Sequence, residues 1–331
     1  MWGQSERIPS RRDLVMSNSS AIVCPVDFSE HSKMALQRAA AWARHFSARL
    51  IVVTVVEPLL VNAAAATYDT DLVRDEVLPE LRDLVERAFL AGRTAIPPFE
   101  ATVLVGEPAA EIVALARREH AQLIVIATHG LSGYRRLLLG STTEKVLRQT
   151  TVPVLLAPPP EQTPPNVDPS RIDVGRVLAP VDFKDGCVNE VRAAASLAET
   201  FGVPLLLVHV VTPLKGIERL RPQLETHNRA QIERANQQIQ QLASEVGTPV
   251  DIETAVTVGS PAEEIAQIAV ARGVGLIVMG LRRQEHMFGP RPGSIASRVL
   301  GLAPARVLAL PPGEAHVEWL TATSVVETLV R

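Results

Sequence analysis

The residues best suited to chemistry lie in one glycine-punctuated stretch, ATHGLSGYRRLLLGSTTEKV, from Ala127 to Val146. Gly130 and Gly133 remove side chains where a backbone must approach something closely or turn through positive φ. Gly140, Ser141, Thr142, Thr143 and Glu144 follow, and their S-x-x-E form predicts a capping box with a helix starting at Ser141. A helix start offers unpaired N–H groups and the positive end of a dipole, and here three hydroxyls stand beside it. Such a corner can hold a phosphate without a lysine. It fits neither the P-loop, G-x-x-x-x-G-K-[ST], nor the dinucleotide fingerprint, G-x-G-x-x-G. An ordinary capped helix after a flexible loop is the alternative. THG, nine further residues and then GSTTE, placed after a strand, favour the phosphate. The second candidate is Asp27, in Pro25-Val26-Asp27-Phe28-Ser29 at the end of an apolar run. It either caps a turn or helix or accepts hydrogen bonds from ligand hydroxyls or an amino group.

These residues point to binding, and the protein is not expected to be an enzyme. The sequence has no paired-carboxylate constellation, metal cluster, spaced Ser/His/Asp set or kinase signature. Asp69 and Asp71, in YDTD, read as a solvated helix start. An adenylyl transferase would need an H-x-G-H motif or a loop lysine, and THGLSG has one histidine and no lysine. Slow hydrolysis of a bound triphosphate is the only chemistry left.

The elements that must position this corner occur twice. AIVCPVDFSE (21–30) returns as RVLAPVDFKD (176–185), VLVGEPAAEIVALA (103–116) as VTVGSPAEEIAQIA (256–269), QLIVIATHG (122–130) as GLIVMGLRR (275–283), and TVPVLLAPPP (151–160) as PARVLALPPG (304–313). Order is kept, at an offset of 153 to 155 residues, so one domain has been duplicated. Residues 1–19 read as a disordered leader, with Met16 the true start, 20–158 as the first domain, 159–173 as a stiff proline-rich linker, 174–313 as the second domain and 314–331 as a tail. In the first copy, strands are predicted at 22–26, 50–56, 101–105, 123–127 and 152–156, with helices from Ser29 to about Phe46, Asp71 to Leu90, Pro108 to near His120 and Ser141 to Gln149. Apolar strands alternating with helices imply a doubly wound α/β fold with a parallel sheet covered on both faces. Ligands bind such sheets at the carboxyl ends of strands, where the winding reverses. Both candidate loops fall there.

Composition agrees. Of 331 residues, 47% are apolar and 21% charged, with a net charge of −3, so nucleic acid is not an expected partner. Arg135, Arg136, Arg282, Arg283 and Arg291 beside the glycine loops read as solvated charge. Aromatics make up 4%, too few for base-stacking platforms. Two cysteines without metal spacing, no secretory leader and no apolar run of about 18 residues point to the cytoplasm and away from a membrane.

With the repeat and motifs assembled, the chain resembles a tandem universal stress protein. That family's G-x2-G-x9-G-[ST] pattern follows the fourth strand, and its V-D-x-S motif follows the first. Here VDFSE, then ATHG, nine residues and GS match, and the resemblance covers residues 20–158 and 174–311. It implies two five-stranded parallel sheets of strand order 3-2-1-4-5, like the adenine nucleotide alpha hydrolases, and an adenine nucleotide, ATP or AMP, with Mg2+ as companion of a triphosphate. Carried over, Pro25, Val26 and Asp27 would meet adenosine, and Val55 would present backbone groups to adenine. Gly130, Gly133, Gly140, Ser141, Thr142 and Thr143 would surround the phosphates, with His129 near them or simply packed in the loop. Ala127 replaces the first motif glycine and narrows the site by a methyl.

The second copy departs further. Asp182 and Val210 match Asp27 and Val55, and Gly280 keeps the first glycine, but Arg283 replaces the second before Gly293-Ser294. Arg283 either blocks the pocket or pairs with phosphate through its guanidinium. The second site is taken as weak or empty. The resemblance implies a nucleotide-responsive regulatory module of the stress response; a nucleotide-free interaction module is the alternative. It also implies pairing of the two domains through their fifth strands, Val152–Leu156 against Arg306–Leu310, with a homodimer of chains as a further assembly.

Overall fold

The computed structural model describes residues 20–68, 70–90, 97–128, 139–159, 168, 171–184, 186–214, 221–281 and 294–312. The leader, Met16, Asp69, most of the linker and the tail lie outside them.

In the first half, β1 (Ala21–Pro25) is wholly buried and runs into α1 (Glu30–His45), whose first turn is capped by Ser29. Then come β2 (Arg49–Val56), α2 (Pro58–Tyr68), a π-helical turn (Leu72–Val77) leading into α3 (Leu78–Leu90), and β3 (Phe99–Val105). Next, α4 (Pro108–Arg118) starts on a proline, β4 is Ala121–Ala127, α5 is Ser141–Gln149 and β5 is Val154–Ala157. The second half repeats the plan with β6 (Val177–Pro180), α6 (Cys187–Phe201), β7 (Leu205–Val211), α7 (Arg221–Val246), β8 (Ile252–Val258), α8 (Pro261–Ala271), β9 (Leu276–Gly280), α9 (Ser294–Leu302) and β10 (Arg306–Leu310).

The strand order is β3-β2-β1-β4-β5-β10-β9-β6-β7-β8. Each half is therefore the parallel 3-2-1-4-5 sheet. β5 and β10 pair antiparallel, with Val154, Leu155 and Leu156 opposite Ala309, Leu308 and Val307. One apolar layer joins the strands to α1, α3, α6 and α7, and the other joins them to α4, α5, α8 and α9. Burial on both faces explains why the inner strands are rich in Val, Ile, Leu and Ala, while the half-buried edge strands β3 and β8 carry Glu and Thr. Trp42 of α1 and Phe46, the residue that caps its end, meet Phe201 of α6 at centroid distances of 5.7 and 6.2 Å. Two buried arginines hold the ends of the connection between the halves: Arg38 donates to the Pro158 carbonyl at 3.0 Å and Arg306 to the Asp173 carbonyl at 2.6 Å.

Three local expectations need correction. The helix expected to run from Asp71 begins as a π-helical turn, with Asp71 as its cap accepting from the Arg74 amide. The fifth strand starts at Val154, because the Thr150 hydroxyl bonds both the amide and the carbonyl of Val152 and turns the chain there. Helix α2 was not foreseen at all; its Leu59 and Leu60 are exposed. No described helix is long and apolar enough to cross a membrane.

Candidate functional site

In the first half, β1 is the switch point of the winding: its chain turns towards β2 on one side, and β4 lies on the other. Three features converge at the carboxyl ends of these strands.

The first is the loop after β1. Pro25 and Val26 are buried, and the Val26 amide donates to the Val53 carbonyl at 2.8 Å. Asp27 is half-buried, and its Oδ1 accepts from the Ser29 amide at 3.1 Å and the Ser29 hydroxyl at 2.5 Å. Ser29 in turn accepts from the Ser32 amide, and the Asp27 amide donates to the Ser32 hydroxyl at 3.3 Å. The turn-and-cap role is thus real. It also fixes the carboxylate at the mouth of the sheet. Phe28 between them has φ +63°, and Phe183 in the second copy has φ +56°. A bulky residue in the left-handed region costs energy, so both copies hold this turn against strain. Nothing in the sequence beyond the repeated PVDF signalled it, and Ser32 was not anticipated. Cys24, one residue before Pro25, is no nucleophile: burial pushes its thiol up and keeps it protonated.

The second feature is Val55. The β1–β2 register ends at Pro25–Val53, while β2 continues to Val56. In a parallel ladder alternate residues turn their backbone groups to opposite neighbours. Val53 faces β1, and Val56 faces the other way, accepting from the Gly106 amide at 3.0 Å. Val55 therefore presents its N–H and C=O towards β1, beyond the point where β1 has ended. These are backbone groups left open for a ligand edge. In the second half the β6–β7 register ends at Pro180–Val208, which puts Val210 in the same situation.

The third is the start of α5. The expected capping box is absent. Gly140 is the N-cap and makes no side-chain cap bond, and Glu144 pairs instead with Arg148, one turn on, at 3.0 Å. The reason lies in how the corner is closed. The Gly140 amide donates to the Thr128 carbonyl at 2.8 Å, and the buried Thr143 hydroxyl donates to the Ala127 carbonyl at 2.9 Å. These two bonds hook the helix onto the end of β4. Ser141 becomes the first helical residue, exposed, with Thr142 half-buried beside it. The first intrahelical bond runs from Glu144 to Gly140, and among the described residues the amides of Ser141, Thr142 and Thr143 meet no acceptor. An open helix start of this kind is an anion site by geometry and dipole together. The arrangement can grip an anionic group, and among the described residues no cluster of His, Cys, Asp or Glu could hold a metal ion beside it.

The structure thus brings Pro25, Val26, Asp27, Val55, Ala127, Gly140, Ser141, Thr142 and Thr143 to one edge. Ala127 is buried against Ala35 and Ala157. His129, Gly130 and Gly133 lie outside the described residues, as do Arg283 and Gly293 in the second copy. There, Asp182 is exposed, and its Oδ1 accepts from the Lys184 amide at 3.1 Å. The α6 N-cap, Gly186, makes no side-chain cap bond. Ser294 opens α9, and Ile295 takes the place of Thr142.

Comparison with known proteins agrees with this double architecture. A model described as the universal stress protein family matches residues 19–158 and again 174–311. A universal stress protein of Thermus aquaticus is 36% identical over 137 residues, covering 41% of this chain and 96% of that protein. One of Mycolicibacterium smegmatis is 24% identical over 297 residues, covering 88% of this chain and 97% of its own length. The crystal structure of a universal stress protein from Archaeoglobus fulgidus superposes with a TM-score of 0.56 at 20% identity, over 89% of this chain and all of the other.

Proposed function

The chain belongs to the universal stress protein family, and on that premise we propose that its first domain binds an adenine nucleotide, ATP or AMP, and reports occupancy to partners as a regulatory module of the stress response. The observation that carries the reading is the start of α5, where three consecutive amides meet no acceptor among the described residues. The base would sit against the backbone of Val55, the ribose hydroxyls beside Asp27 and the phosphates on Ser141 and Thr142. Thr143 serves by anchoring the helix. A triphosphate would bring Mg2+ with it, held mainly by the phosphates. The second domain, with Asp182, Val210, Gly280, Arg283, Gly293 and Ser294 at the matching positions, is weak or empty. The role is binding without dedicated catalysis, in the cytoplasm. The β5–β10 seam stands in for the interface of a homodimer.

Mass spectrometry of small molecules released from the purified chain should find an adenine nucleotide. Saturating ATP or AMP, at 100 times Kd, should stabilise the fold by about 2.7 kcal/mol in a melt. A chain that carries no nucleotide and whose melting is unmoved by ATP, ADP and AMP is a structural interaction module instead.

A further inference from the structure

The two domains differ at one pair of facing positions that neither motif reveals. Position 35 on α1 corresponds to 190 on α6, and position 127 on β4 to 280 on β9. In the first domain the pair is Ala35 and Ala127, two buried methyl groups in contact with Ala157. In the second it is Glu190 and Gly280. A Cβ placed on Gly280 would lie 1.9 Å from Glu190 Oε1 and 2.4 Å from its carboxyl carbon. The carboxylate therefore lies directly over the glycine backbone, at the last residue of β9. It is half-buried and engaged within the chain, so it is held there.

Carboxylate-over-glycine packing also occurs at Gly106 with Glu111 and at Gly259 with Glu264. Those two are equivalent positions, present in both domains, and cannot distinguish them. The Glu190–Gly280 contact exists in the second domain alone and sits at the strand end from which a phosphate would be gripped. Gly280 looks like a motif glycine kept for a ligand. In the structure the protein's own carboxylate occupies the space its missing side chain leaves.

We propose that Glu190 is the residue that closes the second domain to phosphorylated ligands. The inference rests on the nucleotide reading of the first domain. The carboxyl group against the β9 backbone fills the approach that glycine would otherwise leave and sets an acidic side chain where a phosphate would lie. Exposed Ile295 replaces the hydroxyl of Thr142 at the adjacent helix start and removes a compensating donor. The specificity of the second mouth is thus set from α6, a helix that carries none of the glycine motif.

The test titrates ATP into the full-length chain and into its Glu190→Ala variant, which restores the residue found at position 35. The native chain should bind one ATP, and the variant should bind a second at least tenfold more tightly than any second event in the native chain. Equal stoichiometry and second-site affinity in the two chains overturn the proposal. Should Glu190→Ala melt early, Glu190→Gln keeps the size without the acid and should show a smaller gain of the same sign; no gain would overturn the proposal. A melting cycle tests the contact without nucleotide: Gly280→Ala should lower the midpoint in the native background and much less in the Glu190→Ala background. Equal losses in both would also overturn it. A native chain that binds no ATP at all would sink the first-domain reading, whereas Glu190 is judged only by the difference between variant and native.

Discussion

The mouths of the two domains share a backbone and differ in what fills it. Both have the left-handed phenylalanine after the aspartate, the overhanging second strand and a helix starting after the fourth. In the first, Asp27, Ser29 and Ser32 form a closed hydrogen-bonded set, and α5 is hooked to β4 by Thr143. In the second, Lys184 and Cys187 replace the serines, Ala296 replaces Thr143, and a carboxylate covers Gly280. Duplication conserved what the sheet needs, while the polar lining diverged. The shared strain at Phe28 and Phe183 belongs to the fold, and the discriminating chemistry sits in side chains around it.

That contrast can be broken or sharpened in steps. The largest loss is expected for Thr143→Val, which leaves the Ala127 carbonyl short of a donor next to a buried methyl and should cost about 1–3 kcal/mol in denaturant unfolding. It should also weaken ATP, by unhooking the helix start. Next, Asp27→Ala removes the acceptor of the Ser29 amide and hydroxyl, should cost about 0.5–1.5 kcal/mol and should abolish measurable ATP binding. Asp182→Ala should leave ATP titration unchanged; a comparable loss there would erase the proposed asymmetry. Ser141→Asp separates helix stability from ligand binding. A carboxylate at an open helix start should stabilise by about 0.3–1 kcal/mol and yet lower ATP affinity tenfold or more. The same change at Ser294 should stabilise without touching ATP.

The smallest effect concerns acid. Arg49 pairs with Glu119 at 2.7 Å in the first domain, and Arg176 with Glu253 at 2.6 Å in the second. Hydrogen bonds from those guanidinium groups hold both carboxyls below their ordinary range. A depressed carboxyl contributes its stability above the unfolded value and loses it as pH falls through the folded one. Glu119→Gln should therefore cost about 0.2–1 kcal/mol at pH 7, and the difference from the native chain should vanish as the solution is acidified below the usual carboxylate range. A difference that persists in acid would mean packing, not charge.

Much of this was legible in the sequence because it is periodic and local. Apolar strands, the repeat offset and the doubly wound parallel class follow from patterns within each segment, while the 3-2-1-4-5 order came from the resemblance to a known family. The capping box failed because S-x-x-E is satisfied by two local arrangements. Here Gly140 was drawn to the Thr128 carbonyl, and Glu144 found Arg148 on its own helix. The fifth strand started late because a threonine hydroxyl turned the chain at Val152. Glu190 escaped notice for a different reason. Its partner lies far along the chain on another strand, and Gly280 already seemed explained by the motif around it. A glycine matching a ligand pattern can serve a neighbouring side chain, and only geometry distinguishes the two.

The antiparallel seam between β5 and β10 has a consequence of its own. Strands on its two sides run in opposite directions, so their carboxyl ends emerge on opposite rims of one continuous sheet. No single small molecule can span both rims, and a protein that senses the first cannot touch the second from the same side. Whatever occupies one mouth would leave the opposite rim open.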